Sequence, residues 1–131
     1  MRITLTTLQQ HVKNNNKFSV LTCYDATFAK ILEGAGVDVL LVGDSLGNVL
    51  KGESTTLSVT LDDMIYHTRC VSSGSNRALI MADMPFGSYQ QSPQQAFDNA
   101  SKILAAGAHM VKIEGGQVMA ETTAFLTQRG I

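Results

Sequence analysis

Four acidic residues of this chain each follow an apolar segment directly, and this placement could support chemistry. They are Asp25, Asp44, Asp83 and Glu114. If the segments are neighbouring parallel strands, the four carboxylates lie along one edge of a sheet, where α/β proteins bind their ligands. Carboxylates that are brought together repel one another unless a cation or a shifted proton compensates them. The sequence therefore predicts a metal site or an acid/base site.

The alternation of side chains across a strand indicates which residues share a face. Lys112 and Glu114 share one face of their predicted strand, and in a barrel this face would point inward. Asp44 and Asp83 each share a face with the apolar residues two and four positions earlier. Two or three acids from different strands suit Mg²⁺, which is typically held by one or two carboxylates together with waters and substrate oxygens. A lysine beside them could hold a substrate carboxylate.

Some of these residues also have purely structural interpretations. Asp25 precedes a predicted helix, so we interpret it as a helix cap and not as a ligand. Lys112 and Glu114 taken alone could be a structural ion pair. Asp44 and Asp83 each precede a loop where no helix begins at once, which favours a functional role.

The composition excludes several classes of function. With 44% hydrophobic residues and a net charge of -1, the chain has no basic field for nucleic acid or an anionic membrane. We therefore expect a small-molecule ligand. The two cysteines have no zinc-binding or CxxC spacing. The sequence shows no signal-peptide core and no apolar stretch near the ~20 residues that span a bilayer, so we expect a soluble cytoplasmic protein.

Strand and helix patterns alternate along the chain after a short predicted helix at 7–14. The predicted strands lie at 18–24, 37–43, 78–82 and 109–113. The helices that follow them are predicted from 26 to about 34, at 61–73, from 93 to 107 and at 119–129. A long polar loop is predicted at 44–60.

Four strand–helix units, whose apolar strands we expect to be covered on both faces, predict an α/β fold with a parallel sheet. A doubly wound sheet could be complete at 131 residues, whereas a (β/α)8 barrel needs about 250. Gly130 and Ile131 resemble a helix cap followed by the first residue of another strand. We therefore predict a single domain, 1–131, that forms the amino-terminal half of a (β/α)8 TIM barrel.

A competing motif is Gly43-Asp44-Ser45-Leu46-Gly47, which fits the G-x-S-x-G pattern of serine hydrolases and begins with the Gly-Asp-Ser-Leu string of another esterase family. A nucleophile elbow should continue directly into a helix, whereas residues 48–60 are polar and interrupted by glycine. No later Asp-x-x-His segment supplies a base, and a serine without one is a weak nucleophile. We rank a Ser45 esterase second.

Four longer strings are more specific, and they occur in one order and spacing. They are residues 42–47 (VGDSLG), 52–55 (GEST), 82–89 (ADMPFGSY) and 110–116 (MVKIEGG). Together they closely resemble the ketopantoate hydroxymethyltransferase family. The resemblance extends over essentially the whole chain but corresponds to the amino-terminal half of the family's barrel.

The resemblance implies a homodecameric (β/α)8 enzyme that transfers a hydroxymethyl group from 5,10-methylenetetrahydrofolate to α-ketoisovalerate in pantothenate biosynthesis. Carried over by position, Asp44 and Asp83 would be Mg²⁺ ligands, with Glu114 near the metal. The keto acid would contact Asp44, Ser45, Asp83 and Lys112.

The resemblance also implies that the general base is a glutamate on a later strand, beyond residue 131. No catalytic base is therefore assigned within this sequence. We expect the 131-residue polypeptide alone to be inactive or only feebly active. A non-catalytic fragment with an ordered fold is the third interpretation.

Overall fold

The computed structural model describes all residues, 1–131, and contains one sheet of four parallel strands arranged in chain order. The strands are β1 (Val20–Thr22), β2 (Val39–Val42), β3 (Leu79–Asp83) and β4 (Met110–Lys112). The predicted parallel sheet is thus confirmed. The strands are mostly shorter than predicted, because the apolar runs continue beyond the paired residues.

Each strand leads through a connection into a helix that packs back against the sheet. The helices are α1 (Leu5–Lys13), α2 (Ala26–Gly34), α3 (Leu46–Val49), α4 (Leu61–Gly74), α5 (Pro93–Ala105) and α6 (Ala120–Thr127). A 3₁₀ turn, Gly116–Met119, precedes α6.

The prediction of a long polar loop at 44–60 is wrong for its first part, because α3 lies within it. Leu46, the first residue of α3, is fully buried. Burial of this side chain supplies an apolar anchor for a turn that the surrounding polar residues did not indicate.

Side-chain caps fix where α2, α4 and α5 begin. The carboxylate of Asp25 accepts a hydrogen bond from the Phe28 N–H at 2.8 Å, which confirms its interpretation as the cap of α2. Thr60 forms a reciprocal capping box at the start of α4, and Ser92 caps α5 with proline at the first helical position. Each cap satisfies N–H groups that have no partner within the helix.

The main core lies between the sheet and helices α2, α4 and α5. Leu40 and Val42 of β2 are buried in this layer together with Met64 of α4 and Ile103 of α5. The opposite face of the sheet carries a smaller apolar cluster, in which Val39 packs with Leu8 of α1. Alternate residues of each strand therefore serve two different layers.

The two edge strands are less buried than predicted. Val20 and Leu21 of β1 are 42% and 47% exposed, so the prediction of strands covered on both faces is wrong for β1. The reason is that β1 and β4 each have a neighbouring strand on one side only. None of the helices combines the length and the apolar character needed to cross a bilayer.

Candidate functional site

A cavity of about 140 Å³ lies at the carboxyl ends of β2, β3 and β4. Its lining residues are Asp44, Thr56, Leu57, Asp83, Met84, Phe86, Tyr89, Lys112 and Glu114. Three of the four acidic residues that follow apolar segments are therefore brought together. Asp25 stays outside the cavity as a helix cap.

Asp44 and Asp83 are in direct contact. Asp83 ends β3 and is buried, and its Oδ2 accepts a hydrogen bond from the Asp44 N–H at 3.1 Å. Strand alternation does not explain how Asp44 reaches the cavity. It would place Asp44 on the same face as Leu40 and Val42, and these two residues face the helices. Instead, β2 ends at Val42 and the chain turns at Gly43, which carries Asp44 over the edge of the sheet.

Gly43 leaves the space that this turn requires. A Cβ atom at this position would lie 2.9 Å from Ser45 Oγ and 3.6 Å from Asp83 Oδ2. The first distance is shorter than real Cβ contacts allow. A residue without a side chain therefore leaves room for the Ser45 side chain where the β2 loop turns.

Lys112 joins the acids of β3 and β4. Parallel pairing places it opposite Asp83, and its Nζ lies 2.9 Å from Asp83 Oδ1 and 2.9 Å from Glu114 Oε1. Burial by itself would lower the pKa of Lys112, but the attraction of the Asp83 and Glu114 carboxylates outweighs it and raises that pKa. The same lysine lowers the pKa of Glu114.

The cavity carries an excess of negative charge that a cation would offset. Three carboxylates and one ammonium group line it. Burial, followed by the neighbouring charge of Asp83, raises the pKa of Asp44. Asp83 Oδ1 is buried and has no aligned hydrogen-bond donor, although Lys112 Nζ is close enough for charge attraction. Its free lone pair, together with the Asp44 carboxylate, fits a hard divalent cation.

Glu114 does not complete a three-carboxylate cluster. No group of three or more His, Cys, Asp or Glu side chains in the chain is placed to hold a metal ion together. The Glu114 side chain is 78% exposed and is bound to Lys112. Only the two aspartates are therefore placed to contact a cation directly, and metal ligation by them, like a role for Glu114 through water, stays a prediction.

Ser45 lies beside the cavity and does not line it. Its Oγ is 2.8 Å from the Tyr24 hydroxyl, and the Tyr24 carbonyl accepts a hydrogen bond from His67 Nδ1. Helix α3 follows Ser45 at once, so the sequence argument that no helix follows the motif is wrong. Even so, Ser45 is hydrogen-bonded to the Tyr24 hydroxyl and not to a histidine, and the hydrolase interpretation is not supported.

Three polar residues around the site were not predicted from the sequence, namely Tyr24, Thr56 and Tyr89. The Tyr89 hydroxyl accepts a hydrogen bond from the Glu114 N–H at 3.1 Å. Tyr89 belongs to one of the strings that carry the resemblance, but no spacing rule indicated that its ring would turn toward β4. Thr56 lies in a loop with no periodic pattern, so nothing in the sequence indicated its position.

Comparison with known proteins gives the same family as the four strings. The family model described as ketopantoate hydroxymethyltransferase matches residues 2–131. A 3-methyl-2-oxobutanoate hydroxymethyltransferase of Nitrosomonas europaea is 67% identical over 130 residues, which are 99% of this chain and 48% of that protein. The protein of the same name from Nitrosospira multiformis is 64% identical over 131 residues, with 100% and 50% covered. The chain thus spans about half the length of the curated relatives it matches.

Solved structures with a similar fold belong to TIM-barrel enzymes. A 2,3-dimethylmalate lyase of the PEP mutase/isocitrate lyase superfamily matches with a TM-score of 0.71 at 20% identity, over 96% of this chain and 48% of that one. A phosphonopyruvate hydrolase in complex with oxalate and Mg²⁺ matches with a TM-score of 0.66 at 14% identity, over 79% and 36%. At such identities the likeness concerns the fold, and it confirms the predicted half of a TIM barrel.

Proposed function

From the premise that this chain belongs to the ketopantoate hydroxymethyltransferase family, we propose that it forms the metal-binding and keto-acid-binding half of such an enzyme. The reaction would transfer a hydroxymethyl group from 5,10-methylenetetrahydrofolate to α-ketoisovalerate, yielding ketopantoate. The observation that supports this most directly is the contact of Asp44 with Asp83 beside Lys112, at the carboxyl edge of the sheet.

Asp44 and Asp83 would hold the Mg²⁺ ion, with Glu114 near it through water. The bound cation would act as a Lewis acid on the carbonyl group of the keto acid. The unpaired lone pair of Asp83 Oδ1 and the excess negative charge of the cavity support this assignment. Without a cation, an anionic substrate would meet repulsion from the same carboxylates.

Lys112 would hold the substrate in place and stabilise its charge. An ammonium group at the cavity wall can bind a carboxylate and can also stabilise negative charge that develops on the substrate when the carbon next to the carbonyl loses a proton. Its raised pKa keeps Lys112 protonated at neutral pH. Ser45, held by Tyr24, would supply a further hydrogen bond to the keto acid.

The general base would come from outside these 131 residues, as the family resemblance implies. We therefore expect the polypeptide alone to bind Mg²⁺ and the keto acid but to show little or no turnover. A cytoplasmic location and assembly into a homo-oligomer, with the decamer of the family, belong to the same proposal.

Calorimetric titration of α-ketoisovalerate, first with Mg²⁺ and then with a chelator, tests the proposal. We expect binding that requires the metal and that falls at least about tenfold in Asp44→Asn and in Asp83→Asn, since each change removes a charged ligand. Asp98→Asn is the matched control, because Asp98 is exposed on α5. Binding that survives the chelator, or that is unchanged in both site variants, would contradict the proposed function.

A further inference from the structure

The Tyr89 side chain combines a buried ring with a hydroxyl group at the cavity wall. The residue is only 5% exposed and packs in the main core, while it also lines the cavity with Asp44, Asp83 and Lys112. A ring fixed by packing holds its hydroxyl group in one place. Tyr89 is therefore a rigid polar group next to the proposed metal and substrate site.

The loop that carries Tyr89 is held by its own hydrogen bonds. The Ser88 hydroxyl donates to the Pro85 carbonyl at 2.6 Å, and the Asn99 side-chain amide of α5 donates to the Ser88 carbonyl at 2.8 Å. Gln95 of the same helix donates to the Gly87 carbonyl at 2.9 Å. Helix α5 thus holds the backbone of Gly87 and Ser88, the two residues that precede Tyr89.

The direction of the hydrogen bond to Glu114 leaves the phenolic proton free. The Glu114 N–H donates to the Tyr89 oxygen, so the tyrosine is the acceptor in that contact. A phenol can both accept and donate, and the proton of Tyr89 has no acceptor within the chain. Because Tyr89 lines the cavity, a ligand bound there can accept this hydrogen bond.

An anionic oxygen is the acceptor that suits this position. The phenol is a neutral donor, and Lys112 already donates a hydrogen bond to Glu114 and lies 2.9 Å from Asp83 Oδ1. A ligand carboxylate in this cavity therefore needs further donors, and hydrogen bonds to charged oxygens are roughly twice as strong as neutral ones.

We infer that Tyr89 is a further substrate-binding residue of this site, whose hydroxyl group donates to the carboxylate of a bound 2-oxo acid. The inference deepens the proposed function and rests on it for the identity of the acid. It makes Tyr89 a determinant of specificity for 2-oxo acids over uncharged carbonyl compounds.

The test compares Tyr89→Phe with the unchanged 131-residue protein and with Tyr66→Phe. Phenylalanine keeps the buried ring and removes only the hydroxyl group. Tyr66 is 64% exposed on α4 and serves as the matched control. Calorimetry measures three affinities for each protein, namely those for Mg²⁺ alone, for oxalate with Mg²⁺ and for α-ketoisovalerate with Mg²⁺.

We expect Tyr89→Phe to weaken the binding of both acids by about 10- to 100-fold, as for loss of a hydrogen bond to a charged group. Its affinity for Mg²⁺ alone should stay within about twofold, as should all three affinities of the control. Acid binding within about twofold of the unchanged protein would overturn the inference. An equal loss of Mg²⁺ affinity would overturn it too, because it would show that Tyr89 only supports the Lys112 and Glu114 arrangement.

The two acids separate this inference from the proposed function. If the unchanged protein binds oxalate but not α-ketoisovalerate, the proposed substrate is wrong and the oxalate affinities still decide the role of Tyr89. If it binds α-ketoisovalerate and Tyr89→Phe binds it equally well, only the Tyr89 inference fails. If it binds neither acid, both fail.

Discussion

Replacement of Glu33 by glutamine should weaken the structure in a pH-dependent way. Glu33 lies near the end of α2, and its carboxylate accepts hydrogen bonds from the Ser75 hydroxyl and from the N–H groups of Asn76, Arg77 and Ala78. Partial burial alone would raise the pKa of Glu33, but these hydrogen bonds outweigh it and lower the pKa from 4.5 to about 2. The carboxylate thereby ties α2 to the turn that leads into β3.

The magnitude follows from that pKa. A decrease from 4.5 to about 2 corresponds to at most about 3 kcal/mol of stabilisation. Glu33 is only half-buried, so solvent screening reduces the contribution. We therefore expect Glu33→Gln to lower the free energy of unfolding by about 1–2 kcal/mol at pH 7.

The pH dependence distinguishes a charge effect from a packing effect. Because the pKa of Glu33 is depressed in the folded state, its stabilisation is fully present above the unfolded value near 4.5 and is lost as the pH falls toward 2. Urea unfolding of the unchanged protein and of Glu33→Gln at pH 7, 4.5 and 3 should therefore show that the difference between their free energies of unfolding decreases as the pH falls. Glu121→Gln, at an exposed position of α6, is the control and should change stability by under about 0.5 kcal/mol at each pH. A difference of the same size at pH 7 and pH 3 would refute the electrostatic explanation. No difference at pH 7 would show that the hydrogen bonds of the Glu33 carboxylate do not stabilise the fold.

Three further substitutions test the loops around the site. Tyr24→Phe removes the hydrogen bond to Ser45 and should lower the free energy of unfolding by about 1 kcal/mol in urea denaturation, whereas no change would show that the bond is absent in solution. Thr60→Ala removes the capping box with Asp63 and should lower the melting temperature through a loss of about 1 kcal/mol, an expectation that an unchanged thermal transition would contradict. Gly43→Ala places a Cβ against Ser45 Oγ and should reduce Mg²⁺ affinity in calorimetry by several-fold or more, and wild-type affinity would show that the β2 loop tolerates a side chain.

Local sequence signals correctly predicted where α2, α4 and α5 begin. The cap of α2 at Asp25 and the cap of α5 at Ser92 with Pro93 follow from residue types that satisfy backbone N–H groups nearby in the chain. The short helix α3 was missed, because the burial of Leu46 and not a local pattern holds it in place. The strand ends were also misjudged, since pairing across the sheet and not apolar character decides where a ladder stops.

The sequence correctly predicted which acidic residues lie at the site, but it did not predict how the backbone brings them together. Alternation along a strand correctly put Lys112 and Glu114 on one side, where they form an ion pair. The same rule failed to explain Asp44, which reaches Asp83 through the turn at Gly43. Alternation holds only while the backbone remains extended, and β2 ends at Val42.

The sequence by itself thus determined the four strands and the longer helices, the parallel arrangement of the strands and the family of the chain. Hydrophobic periodicity, capping residues and sequence motifs can all be recognised from the order of the residues. Only the tertiary structure decided that three of the four acids share a cavity, that Ser45 bonds to Tyr24 and that the Tyr89 hydroxyl meets the Glu114 amide. These contacts join residues that are far apart in the chain. Their geometry depends on how the sheet, the turns and the helices pack together, and no local pattern carries that information.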